Sequence, residues 1–260
     1  MKRIFLSLLS LVLLCGFMLS QSSNEKLKQL IAEGDEFSEK KFDNYKALEK
    51  YLEAYKIDPK NYDVLWKLSK VYVDIGEHLP ANTKEEKRKQ LETYEKALEY
   101  AELAIQVNPN GSMGYTRRAI ALGRIALFKG VWESIDLVKK VKEDCEKAIQ
   151  LDPNNSVAYY VLARTHAKLC EKPKIVRSAL GLGWASYDEA IKNFEKAISL
   201  RPTFIMYRLD AGKTYIEVKN YKKAKEHLSK IAELPTEDED DPQFRKEAQE
   251  LLEKIKDKAP

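Results

Sequence analysis

Residues 186–202 read SYDEAIKNFEKAISLRP, and this stretch decides the fold. Ala190, Phe194 and Ala197 are spaced four and three apart, so they share one face of an α-helix. Two small residues let a neighbouring helix approach closely, and Phe194 fills the gap between them. Ser186 with Glu189 three residues later is a helix-start pattern. Pro202 cannot continue the helix and ends it. The face is too narrow to be buried alone, so the helix needs a partner packed against it.

The same frame recurs along the chain. Ala47, Tyr51 and Ala54 precede Pro59; Ala97, Ala101 and Ala104 precede Pro109. Val141, Cys145 and Ala148 precede Pro153, and a degenerate copy places Ala224, Leu228 and Ile231 before Pro235. Each is preceded by a first helix. Leu30, Gly34 and Phe37 mark the first of these, and Trp66, Tyr115 and Tyr159 hold the large position in the next three. Gly212 and Tyr215 hold the small and aromatic positions in the fifth. A small–large–small second helix closed by proline is the signature of the tetratricopeptide (TPR) repeat, a unit of about 34 residues. The closing prolines are 50, 44, 49 and 33 residues apart, so the middle repeats carry extra residues between their first and second helices. The fold expected is all-α: a TPR-type α-α superhelix of about five hairpins plus a C-terminal capping helix. The expected units are residues 25–59, 60–109, 110–153, 154–202 and 203–235, with the cap at 242–257, all within one domain spanning 23–260. Phe244, Ala248, Leu251, Leu252 and Ile255 form the stripe by which the cap covers the last repeat. Asp241 is read as its N-cap, with Pro242 in the first turn.

The second half shows a narrower likeness. CEKAIQLDPNN (145–155), YYVLAR (159–164), the apolar and basic interval 172–184, SYDEAIKNFEKAISLRP and GKTYIEVKNYKKAKEHLSKIAELP (212–235) together resemble the TPR domain of the regulator of microtubule dynamics family. The resemblance implies the fold. A microtubule role is not carried over, because residues 1–20 read as an export signal: Lys2-Arg3, an apolar run from Ile4 to Leu19, then polar residues. The expectation is therefore a periplasmic or secreted protein, with an uncleaved anchor or lipidation at Cys15 as lesser variants.

Composition limits the function classes. Charged residues are 33% and hydrophobic ones 44%, the balance of a helical protein with solvated outer faces. The net charge of +4 falls to +2 without Lys2 and Arg3, too even for nucleic acid, which calls for a clustered basic surface. Cys145 and Cys170 read as two buried thiols, with a disulfide as the alternative. His78, His166 and His227 are scattered and match no metal or catalytic spacing; His166 falls at a core position. GLGW (181–184) follows no strand and reads as a turn rather than a phosphate loop. No enzyme and no cofactor are expected.

The first helices of a TPR array line its concave face. Arg117 and Arg124 are seven apart on one such helix, Tyr160, Arg164 and Lys168 are four apart on the next, and Lys213 repeats the register of Arg164. These residues predict a basic groove with an aromatic beside it, suited to a carboxylate or acidic peptide, since arginine can grip a carboxylate with two bonds. A second candidate is an apolar pocket at Phe128, Trp132 and Trp184. The simpler expectation there is that residues 173–183 fold over Ile125, Leu127, Phe128, Val131 and Trp132. The leading functional reading is a scaffold of the cell envelope that binds a protein segment. A small-ligand-binding protein associated with a transporter and a structural spacer in an envelope assembly are the alternatives.

Overall fold

The computed structural model describes residues 23–129 and 131–258. Residues 1–22, which include the expected signal and Cys15, lie outside them. The described residues contain helices and no strands. The first helix, α1, covers residues 23–39. It is followed by α2 (Asn44–Ile57), α3 (Tyr62–His78), α4 (Lys84–Val107), α5 (Ser112–Ala126), α6 (Val131–Leu151) and α7 (Ser156–Cys170). Then come the short α8 (Lys174–Ala179), α9 (Tyr187–Leu200), α10 (Ile205–Glu217), α11 (Tyr221–Lys230) and α12 (Asp241–Ile255).

Side chains set the helix starts. Thr83 closes a full capping box: its hydroxyl accepts from the Glu86 N–H (3.1 Å), and the Glu86 carboxylate accepts from the Thr83 N–H (2.9 Å). Ser186 completes only half of one. Its hydroxyl accepts from the Glu189 N–H at 3.2 Å, but its own N–H goes to His166 Nδ1, also at 3.2 Å. Asp241 is not the N-cap of α12. Asp240 is, and the Asp241 carboxylate turns back to accept the N–H groups of Glu237 (2.7 Å) and Asp238 (3.0 Å), fully buried. Pro242 does sit in the first turn.

Packing follows the repeat. α3 lies on α4, α5 on α6, α7 on α9 and α10 on α11, while α4, α6 and α9 each pack on the first helix of the next unit. Phe194 is 1% exposed and sits between Ala190 and Ala197 against Tyr160, Ala163 and Tyr207. Tyr51 fills the same place in the first unit. There a Cβ on Gly34 would stand 2.4 Å from the Tyr51 ring, so only glycine allows the approach. The stripe Ala248–Ile255 of α12 joins the last core, with Phe244, Leu251 and Leu252 around it.

The extra residues lengthen helices in two units: α4 has 24 residues and α6 has 21, against 14 in α2 and α9. In the fourth unit they form α8 and its flanking turns. That insert does not cover the apolar end of α5, as the sequence suggested. Leu127 remains 68% and Trp132 77% exposed. The insert closes on itself instead, because buried Arg177 donates to the Lys172 and Ala185 carbonyls (3.1 and 2.6 Å).

The superhelix curls until its end meets its beginning. Asn44 on α2 donates to Glu239 at 2.6 Å, and His78 at the end of α3 lies 3.3 Å from Asp240. Arg201 holds the near end of the same acidic segment through Glu237 at 2.7 Å.

Candidate functional site: the concave face

The first helices carry a ladder of charges in which most cations meet a carboxylate from an adjoining helix. Lys67 on α3 reaches Asp35 on α1 at 2.5 Å, and Tyr51 donates to that same carboxylate at 2.7 Å. Arg124 on α5 pairs with Glu77 on α3. Burial raises the Glu77 carboxyl above its ordinary range, with Arg124 opposing the shift. Tyr160, Arg164 and Lys213 converge on Asp210 at 2.8, 3.3 and 3.4 Å. Lys213 also reaches Glu247 on α12 at 2.9 Å. Tyr160 is buried, stacked on Tyr207 with centroids 4.7 Å apart, and burial pushes its phenol well above the usual range.

Two residues stand apart. Lys168 is exposed and pairs with Glu171 at the end of its own helix (2.8 Å), away from the Asp210 cluster. Arg117 is half-buried with its guanidinium over the Trp66 ring, 5.7 Å from the centroid. Its Nε is closed off from solvent and has no hydrogen-bond partner. Burial holds this guanidinium below its ordinary range, while Asp74, its strongest charged neighbour, pulls the other way. Arg117 is thus a desolvated cation with unused donor capacity.

The three residues of the expected apolar pocket are not gathered together. Phe128 packs on Tyr94 and lines a cleft of about 500 Å³ with Glu77, Arg124, Asp240 and Phe244. Trp132 is exposed, and Trp184 packs edge-on against His166 at 5.0 Å. His166 is a satisfied core group, as its position suggested. Cys145 and Cys170 are both free, the first buried and the second half-buried. Among the described residues, no group of three His, Cys, Asp or Glu is placed to hold a metal ion.

Two polar clusters were not read from the sequence. Arg118 grips Asp144 with two 2.7 Å bonds, joining α5 to α6. The one signal was an acidic residue immediately before the core position Cys145. The other cluster joins α9, α10 and α11. His227 is buried, stacks on Tyr215 at 5.4 Å and meets the Glu195 carboxylate at 3.0 Å, to which Tyr215 donates at 2.7 Å. The His227 contact, aided by Tyr215, holds the Glu195 carboxyl down to about 2 from an ordinary 4.5. A depressed carboxyl contributes stability above its unfolded value and loses it as the pH falls towards its folded one. Thermal melts should therefore fall between pH 4.5 and about 2, and Glu195→Gln should flatten that part of the profile. An unchanged slope in the variant would assign the acid sensitivity elsewhere.

The family model described as Regulator of microtubule dynamics protein 1-3 matches residues 30–256. The chain belongs to this family. A Bos taurus member, Regulator of microtubule dynamics protein 1, is 30% identical over 220 residues, covering 82% of this chain and 67% of the relative. The Mus musculus protein of the same name is 29% identical over 233 residues, covering 87% and 74%. Among solved structures, a thermophilic TPR protein of Thermus thermophilus superposes with a TM-score of 0.65 at 14% identity, over 87% of this chain and 98% of that one. This likeness shows the α-α superhelical fold.

Membership in the regulator of microtubule dynamics family corrects the expected location. The relatives are mammalian proteins named for microtubules, filaments of the cell interior. Export to a periplasm or out of the cell, with Cys15 lipidation as its variant, is overturned. The envelope-specific functions fall with it. The microtubule link, set aside on the strength of residues 1–20, is open again.

Proposed function

We propose that this chain is a non-enzymatic adaptor whose concave face binds an acidic segment of a partner protein, and that it serves microtubule regulation as its relatives are named for. The observation that carries the reading is Arg117. Along the rest of the face Lys67, Arg124, Arg164 and Lys213 each already meet a carboxylate, so an incoming anion would have to displace a partner in place. Arg117 has none within hydrogen-bond reach, is half-stripped of water and lies over an indole. A carboxylate there gains charge-assisted hydrogen bonds without breaking an existing pair. Glu77, Asp210 and Glu247 line the flanks and would select against acidic residues placed in the wrong register.

The test is fluorescence anisotropy with a labelled glutamate-rich peptide. The full chain should bind it in a salt-sensitive manner, and Arg117→Glu should weaken binding at least about tenfold, the scale of one charge-assisted contact. Arg164→Glu should weaken it less, since Asp210 already compensates Arg164. Equal binding by the chain and its Arg117→Glu variant would remove the concave face from the proposal.

A further inference from the structure

Six of the seven large apolar side chains exposed among the described residues share one edge of the superhelix. The two helices of each unit are antiparallel, so every link from a first to a second helix lies on one edge, and every link between units lies on the other. Tyr45 stands in the first turn of α2, Leu127 and Trp132 flank the link between α5 and α6, Ile175 and Val176 ride on α8, and Val218 ends α10. Only Val107 lies at the opposite edge.

Lysines accompany these tips turn by turn. Lys40 and Lys41 precede Tyr45, Lys129 lies between Leu127 and Trp132, Lys172 and Lys174 precede Ile175, and Lys219 follows Val218. All are exposed, and no carboxylate pairs with Lys129, Lys172, Lys174 or Lys219 among the described residues. The links on this edge also hold Asp43 and Glu171, and Lys41 pairs with Glu36 at 2.8 Å, but the opposite edge carries fewer lysines. Its links read IDPKN, VNPNG, LDPNN and LRPT, with acidic, amide and proline residues and one basic residue each in the first and last.

Single exposed apolar residues are ordinary on any surface, but confinement to one edge beside unpaired lysines is not. The tips project from separate turns, with rigid helices between them, and form no pocket. Such a row suits a broad, yielding, negatively charged surface better than the fitted face of a protein. Indole and phenol rings favour the headgroup layer of a bilayer, and lysines can reach lipid phosphates while their stems stay among apolar groups. No described helix is long and apolar enough to cross a membrane, so the contact is a surface one.

We propose that this edge docks on an anionic lipid bilayer, with Trp132, Leu127 and Ile175 entering the headgroup layer and Lys129, Lys172 and Lys174 facing the lipid charge. The concave face stays free for its own partner.

The test makes Trp132 the reporter in the full chain by changing Trp66 and Trp184 to Phe, with circular dichroism to check the fold. Phosphatidylserine-containing vesicles should shift Trp132 emission to the blue and shield it from acrylamide; pure phosphatidylcholine vesicles should not. Replacing Lys129, Lys172 and Lys174 by Gln should raise the lipid concentration needed roughly 100-fold, about fivefold per lysine. Leu127→Glu with Ile175→Glu, both at exposed positions, should abolish the shift in a folded chain. The native chain, carrying all three tryptophans, should show the same protection of residues 127–132 and 174–176 by hydrogen exchange on anionic vesicles. Trp132 emission and exchange unaltered by anionic vesicles would overturn the proposal. So would a shift that rises with protein concentration and needs no lipid, which would mark a contact between copies, or one of equal size on neutral vesicles.

Discussion

Phe194→Ala is expected to destabilise the chain by about 3–5 kcal/mol, the cost of deleting a buried aromatic ring and leaving a cavity. Phe194 is 1% exposed and touches residues from α7, α9 and α10. Its ring lies 5.9 Å from that of Tyr160, and Tyr160 carries the hydroxyl that meets Asp210. The cavity would therefore loosen the Asp210 cluster as well as the core. In a solenoid each unit is held only by its neighbours, so the loss should fall on the fourth and fifth units first. Urea unfolding should show a lower midpoint, and hydrogen exchange should accelerate in α7, α9 and α10 before α2 and α3. A uniform acceleration over the whole chain would mean that the curl fuses the repeats into one cooperative unit.

Asp144→Ala should cost a comparable amount, about 3–5 kcal/mol, for a different reason. The Asp144 side chain is 2% exposed and that of Arg118 is 18% exposed, so the pair is shielded from water. Removing the carboxylate leaves a buried guanidinium with two unmade bonds. Removing both groups leaves no such orphan. Arg118→Leu combined with Asp144→Leu should recover most of the loss, because two apolar groups of suitable volume can replace a buried pair with little penalty. Chemical denaturation of the three variants separates the cases. If the double variant is as unstable as Asp144→Ala, the two Asp144 bonds matter for geometry and not for charge.

The architecture was legible because it rests on short-range signals. Alanine, phenylalanine and proline at fixed offsets in 186–202 mark one helix; the same offsets recur three times, and a fourth copy has its proline one residue sooner. Thr83 and Glu86 form their capping box from residues three apart. Ser186 and Glu189 looked identical, but His166, twenty residues upstream, takes one of the donors. The charge ladder was half legible for the same reason. Helical register placed Arg117, Arg124, Arg164 and Lys213 on one face, but not the carboxylates that meet Arg124, Arg164 and Lys213. Glu77 lies a whole unit before Arg124, and Asp210 a whole unit after Arg164. The curl that brings Glu239 to Asn44 across 195 residues sums small rotations from every unit, and no local motif encodes it. The reading of residues 1–20 erred in physical terms that are equally simple. A short apolar run behind two basic residues states only that it avoids water, not which compartment the chain occupies.

The most direct test of the central claim is co-sedimentation of the full chain with purified microtubules, beside Arg117→Glu and the exposed control Lys168→Glu. If the concave face engages an acidic segment at Arg117, the chain and the Lys168 variant should pellet with the filaments, and the Arg117 variant should stay in the supernatant. If Arg117→Glu pellets as fully as the unaltered chain, the concave face is not the contact.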